Sequence, residues 1–156
     1  MTTEIEIGLT EEGREASAKA LRKLIGETYA LYVKTHGYHW NVTGPRFQSL
    51  HTMFMTQYTE LWAALDEIAE RIRALGYFAP GSSSEMMSEA SLAADNTIPD
   101  AETMIINLVR GHEAVARAAR HGIDIASEAG DEVTADLMTQ RATISDKTAW
   151  MLRSSL

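Results

Sequence analysis

Four side chains between positions 39 and 70 have the types and spacing of a transition-metal site: His39, His51, Asp66 and Glu70. The histidines flank a short break, Asn41-Val-Thr-Gly-Pro45, and the carboxylates stand four residues apart. One helical turn separates that pair, so both would lie on one face of a helix carrying them. Neutral imidazole nitrogen and carboxylate oxygen together suit iron or zinc. The chain has no cysteine, which removes disulfides, iron–sulfur clusters and thiolate sites and leaves imidazole, carboxylate and water as the ligands.

The elements that must position these groups follow from periodicity. From Phe47 to Leu75 the apolar residues fall at 47, 50, 54, 58, 61, 65, 68, 72 and 75, alternating steps of three and four, the signature of one continuous amphipathic helix. At a rise of about 1.5 Å per residue, His51 and Asp66 stand about 22 Å apart along its axis. They cannot share an ion within one chain. Two copies of the helix packed antiparallel about a two-fold axis near Tyr58 and Thr59 bring residue 51 of one level with residue 66 of the other, with Glu70 one turn further on. Such an interface is self-complementary, so it builds two identical sites, each from both subunits.

Singly, each candidate has a structural explanation. His39 could cap the helix before it, His51 could be a polar core residue, and Asp66 and Glu70 could pair with Arg71 or Arg73. The set at these spacings favours the metal. His36, one turn before His39, fits a structural neighbour better than a ligand. His112 and His121 lack a carboxylate partner pattern and are expected at the surface. The eight methionines fall mostly on apolar positions and are expected to fill the core.

With 156 residues, 45% hydrophobic and 23% charged, the chain suits one compact domain over 10–156 behind a flexible arm over 1–9. No apolar run is long enough for a membrane span and the start is acidic and polar, so the expectation is a soluble, cytoplasmic protein. A net charge of −8 favours cations over nucleic acid or anionic membrane. A first helix is capped by Thr10 with Glu11 and Glu12 behind it, and continues through Leu21, Leu24, Ile25, Leu31 and Thr35 to His39 and Trp40, with Gly26 as an internal weakness. Gly76 ends the second helix. The connection over 76–99 is rich in glycine, proline and serine, with a short helix expected from Glu85 to Ala94. A third helix opens at Pro99-Asp100 and runs toward Ala126. After a break at Gly130-Asp131, a fourth runs from Glu132 to Arg153, burying some of Val133, Leu137, Ile144, Trp150 and Leu152. The fold class is all-α: a ferritin-like four-helix bundle whose long crossover between the second and third long helices carries a short helix. No glutamate stands three before any histidine, so the usual within-chain di-iron motif of such bundles is absent.

These residues resemble the Dps family, the miniferritins. The resemblance rests on His39-Trp-Asn-Val-x-Gly-Pro-x-Phe47, on Leu50-His51-x-Met53-Phe54, on Asp66-Glu-Ile-Ala-Glu70-Arg-Ile-x-x-Leu-Gly76, and more weakly on Thr134-Ala-Asp136, Asp146-Lys and Trp150; it spans about residues 20–153. It implies a ferroxidase centre between two-fold-related subunits, His39 and His51 from one, Asp66 and Glu70 from the other. It further implies a hollow homo-dodecamer that binds Fe(II), oxidises it preferentially with hydrogen peroxide at a di-iron site and stores the ferric mineral, with zinc as an alternative occupant. On this resemblance Glu70 is the candidate bridge between two irons, and His39, His51 and Asp66 anchor the tighter one. Trp40 is a candidate radical quencher, with a packed aromatic as the alternative. Asp124, Asp131, Glu132 and Asp136 are candidates for an iron-entry pore at a three-fold axis, with an ordinary solvated turn as the alternative. Two departures bear on function. Met55 stands where many members carry a further acidic residue, which weakens the second iron position. The first 20 residues hold only Arg14 and Lys19 as bases against Glu4, Glu6, Glu11, Glu12 and Glu15, so strong DNA binding is not expected. Three classes stand: a peroxide-linked iron store, a nucleoid-binding protector and a catalytically silent shell.

Overall fold

The computed structural model describes residues 4–156, so the arm over 1–9 lies partly outside the described residues. Its elements are α1 (Glu11–Asn41), α2 (Phe47–Ala74), α3 (Ser83–Glu89), α4 (Ala101–Glu128) and α5 (Glu132–Arg153), with no strand among the described residues. Four of these starts are capped by a side chain that accepts from an otherwise orphaned helix amide: Thr10 from Gly13, Ser82 from Glu85, Asp100 from Thr103 and Asp131 from Thr134. α2 lacks such a cap and starts directly after the break at 42–46.

α1 packs along α2 and α4, α4 packs along α5, and α2 touches α5 only sparsely. Leu24 and Ile25 of α1, Phe54 and Ile68 of α2, Leu108 of α4 and Met138 of α5 are fully buried in one continuous core, and removal of this apolar surface from water is the main force holding the bundle. No helix among the described residues is long and apolar enough to cross a membrane.

The crossover is fastened to α1 along its length. Tyr38 donates to Asp95, Asn107 donates to Tyr38 at 3.0 Å, and the Ser91 amide donates to the buried Glu27 at 2.7 Å. Gly26 marks a close approach: a Cβ there would stand 2.7 Å from Glu89 Cβ and 2.8 Å from the Met86 carbonyl, so α3 can seat on α1 only because the side chain is missing. The short helix lies earlier than the expected 85–94, because the Ser82 cap starts it and Ala90 already has extended backbone. On α5 the structure shows which of the five expected core candidates are buried. Leu152 is buried and Leu137 and Ile144 are half-buried, but Val133 and Trp150 are exposed; the face that packs is made by Thr134, Met138, Ala142, Ser145 and Ala149.

Candidate metal centre

His39 lies in the last turn of α1 and His51 in the second turn of α2. Hairpin packing of the two helices brings the rings into a stack, with centroids 3.8 Å apart and planes 14° from parallel. Each Nδ1 lies 2.7 Å from the main-chain carbonyl of the other histidine. A carbonyl oxygen only accepts, so each Nδ1 carries a proton, and in the neutral ring Nε2 is then the nitrogen with the free lone pair. The His39 carbonyl is one of the terminal four that α1 cannot satisfy internally, which makes it available to His51. His39 is only 7% exposed. Backbone thus fixes the tautomer and the orientation of both rings, as outer contacts do for metal-binding histidines generally.

Aromatic rings surround the pair. Phe47 stacks on His51 at 5.0 Å and Tyr58 sets its ring at 61° to His39 at 5.1 Å. His36 lies flat on Tyr58, 3.9 Å away, and 4.0 Å from Trp40, with Tyr32 Oη 3.1 Å from its Nδ1. Burial, and secondarily the neighbouring His39, hold the His36 imidazole below the usual histidine range. Trp40 itself is 65% exposed, half covering this stack.

Asp66 and Glu70 lie on α2 well beyond the histidines, exposed, and Asp66 borders a groove shared with Trp62, Leu65 and Met86. The arginines that could have neutralised them are engaged elsewhere. Arg71 donates to Asp131 at 2.8 Å and to Thr134 at 2.9 Å, and Arg73 donates to the Tyr77 carbonyl with its guanidinium over the Phe78 ring. Among the described residues neither Asp66 nor Glu70 has an ion-pair partner. Nor, among the described residues, does any group of three or more His, Asp or Glu side chains come together to hold a metal ion within one chain. The structure therefore brings His39 and His51 together and leaves Asp66 and Glu70 apart from them. Met55, one turn past His51, is exposed.

Of the pore candidates, Asp124, Glu132 and Asp136 are exposed. Asp131 departs from the expectation. It is buried, caps α5 through Thr134 and is paired with Arg71; burial alone would raise its pKa, but the Thr134 and Arg71 contacts hold it below the ordinary carboxylate range. His112, expected at the surface, is instead 2% exposed. Its spacing carried the signal, since 105, 108, 112, 115 and 119 alternate by three and four on the core face of α4.

Known proteins resemble this chain in both sequence and fold. The ferritin-like domain family matches residues 18–156. An uncharacterized low temperature-induced protein of Nostoc sp. is 40% identical over 152 residues, covering 96% of this chain and 85% of that protein. The DNA protection during starvation protein 2 of Bacillus anthracis is 35% identical, covering 88% of this chain and 94% of that protein. The crystal structure of a Dps protein from Vibrio cholerae O1, described as a member of a broad superfamily of ferritin-like diiron-carboxylate proteins, superposes with a TM-score of 0.92 at 31% identity, over 99% of this chain and 98% of that one. Dps from Staphylococcus aureus does so at 0.87 and 33% identity, over 90% and 94%.

Proposed function

This chain belongs to the Dps family of ferritin-like proteins, and on that premise we propose that it oxidises Fe(II) and sequesters the product in a hollow cytoplasmic dodecamer, at centres shared between two-fold-related copies. His39 and His51 supply two imidazole nitrogens to each centre, and the partner subunit's Asp66 and Glu70 supply the carboxylates. The observation that carries this reading is the reciprocal bonding of the histidine pair. It spends both Nδ1 protons on backbone and leaves two neutral nitrogens for a borderline cation such as Fe(II). The unpaired, exposed carboxylates supply the complementary half.

Iron is substrate here, and hydrogen peroxide is the preferred oxidant. Two Fe(II) ions each give one electron to one peroxide. Its O–O bond breaks and both oxygens leave as hydroxide, without the one-electron cleavage that frees a hydroxyl radical. The chain's part is to hold the ions side by side with positions open to the oxidant. Glu70 bridges the two ions. Exposed Met55 offers no carboxylate to the second ion, which is held mainly by water, and zinc competes for the first. Trp40, exposed beside His36, is placed to donate an electron to a stray oxidant. Asp124, Glu132 and Asp136 line the iron entry, with Asp131 holding the start of α5 behind them. Within the first 20 residues five glutamates stand against Arg14 and Lys19, a balance that disfavours contact of this stretch with DNA.

Anaerobic stopped-flow oxidation of Fe(II) by peroxide tests the centre, using the wild type, His51→Ala and Asp66→Ala. Each variant alone should lose rapid oxidation. Dissociated, mixed and reassembled, the two should recover about a quarter of the wild-type sites, because about half the dimers are mixed and one site of two in each is whole. Recovery of none would reject the shared centre. Oxidation by the wild type no faster than in buffer would leave a silent shell.

A further inference from the structure

The rings around the histidine pair include a tyrosine with no part in holding iron. Tyr32 stands one turn before His36 on α1, and its Oη lies 3.1 Å from His36 Nδ1. In the Nε2–H tautomer of the neutral imidazole, Nδ1 accepts and the phenol donates. Other tyrosine hydroxyls are spent differently. Tyr29 donates to the Ser83 hydroxyl and Tyr77 to the Glu11 carbonyl, while Tyr38 donates to Asp95, whose pKa is held at about 2 by its bonds to Thr97 and Tyr38. None of those acceptors is a base near neutral pH, whereas imidazole is.

Touching rings connect this pair to the candidate iron ligands. His39 meets Tyr58 edge-on at 5.1 Å, and Tyr58 lies flat on His36 at 3.9 Å. Tyr32 sets its edge against both, 5.6 Å from His36 and 6.3 Å from Tyr58. Aromatic rings at these separations are in contact, so an electron can pass from Tyr32 toward His39 without crossing solvent. Trp40 borders the same stack at 4.0 Å from His36 but is largely exposed, whereas Tyr32 and Tyr58 are half-buried. A hole resting on Tyr32 is therefore better shielded than one on Trp40, and it has a base at hand for its proton.

The iron centre has a use for such a donor. Exposed Met55 brings no carboxylate to the second iron position, and a centre holding a single Fe(II) meets peroxide with one electron where two are needed. Resting on the shared iron centre described under the proposed function, we propose that Tyr32 gives the second electron and His36 takes its proton. Peroxide gains one electron from Fe(II) and one from Tyr32; its O–O bond breaks and both oxygens leave as hydroxide. The phenol proton moves to His36 Nδ1, leaving a neutral tyrosyl radical beside an imidazolium. The next Fe(II) to arrive gives one electron back to the radical, and the proton returns from His36 to the phenol oxygen. The sum is two Fe(II) oxidised per peroxide, as for two ions side by side, but reached with one ion at a time and without releasing a hydroxyl radical.

Two oxidants separate the pair from the centre. In the assembled full-length protein without iron, flash-generated tris(bipyridine)ruthenium(III) should raise a tyrosyl signal in the EPR spectrum, equally in the wild type and in Asp66→Ala. Its formation should slow in D2O, because the proton moves with the electron. Tyr32→Phe, which deletes one hydroxyl and keeps the ring, should lose the signal, and His36→Phe, which keeps an aromatic in the stack without the base, should lose it too. With Fe(II) below one per centre and peroxide in excess, freeze-quenched wild type should show the same radical in an amount matching the iron oxidised, and further Fe(II) should erase it. Both variants should bind Fe(II) as the wild type does but release hydroxyl radical to a spin trap. Rapid iron oxidation with no tyrosyl radical, a signal that survives Tyr32→Phe, or one unchanged in His36→Phe overturns the proposal. No rapid iron oxidation, with the iron-free signal intact, rejects the shared centre and with it the role given to the pair. No iron-free signal rejects the pair itself, whatever the centre does.

Discussion

The two ends of α2 treat their candidate ligands in opposite ways. Near its start, His51 is stacked on His39 and each ring is tied at 2.7 Å to the backbone of the other. Two turns and one turn before its end, Asp66 and Glu70 stand exposed, with the nearby Arg71 and Arg73 bonded elsewhere. Imidazole tautomer and orientation need a fixed neighbour, and the α1–α2 hairpin supplies one within the chain. Carboxylates need no tautomer set. They can be left free at a surface where, on the function proposed above, a second copy brings the rest of the site, at the cost of keeping two like charges one turn apart.

That contrast predicts the largest effect for the carboxylates and no cost in folding. Asp66→Asn or Glu70→Gln should slow peroxide-driven Fe(II) oxidation by roughly 100-fold, the scale of losing one metal contact, while unfolding of the metal-free protein changes by no more than about 0.5 kcal/mol. Stopped-flow traces and urea melts on the same preparations make the comparison. If either substitution unfolds the protein as readily as a core change, the carboxylates are structural and the contrast breaks.

His39→Ala should show the opposite balance. Besides losing oxidation, it removes a buried stack and the donor to the His51 carbonyl, and it should destabilise the metal-free protein by about 1–3 kcal/mol. Urea melts measure this directly. Equal stability of His39→Ala and wild type would mean that the pair is held by the helices rather than by its own hydrogen bonds.

How far the sequence reveals all this depends on what encodes each feature. α2 was legible nearly to the residue, because large apolar side chains at steps of three and four mark its buried stripe. α5 is legible only in part: Leu152 is buried as the pattern allows, but much of the packing face is Ala142, Ser145 and Ala149, and Val133 and Trp150 are exposed; small residues leave no hydropathy signal. His112 was assigned by residue type although its spacing placed it in the core. Asp131 was grouped with its acidic neighbours, whereas its bond to Arg71 joins residues 60 apart. Sequence spacing marks the histidines as candidate ligands but not as a mutual latch, since their partners are main-chain carbonyls that no side-chain pattern records. Gly26 carried its meaning only once α3 was seen against it.

Glu27 sharpens the comparison from the structural side, with the smallest effect. Unlike Asp66 and Glu70, it is buried, and its Oε1 accepts from the Ser91 amide at 2.7 Å and from Lys23 at 2.9 Å. Burial by itself raises its pKa, but the Ser91 and Lys23 contacts outweigh burial, leaving the pKa below the ordinary 4.5. In the unfolded chain the carboxylate therefore takes up a proton at higher pH than in the folded one. Its stabilisation is complete above about pH 4.5 and is lost as the pH falls through the lower folded value. Glu27→Gln keeps the shape and one acceptor but not the charge, so it should cost about 1 kcal/mol at pH 7 and progressively less in urea melts taken from pH 5 down to 3.5. A difference that stays constant over that range would show that the crossover is held by the shape of the residue alone. A difference that closes would show that on this bundle a paired carboxylate fastens the fold, which is the role that Asp66 and Glu70, left unpaired, do not fill.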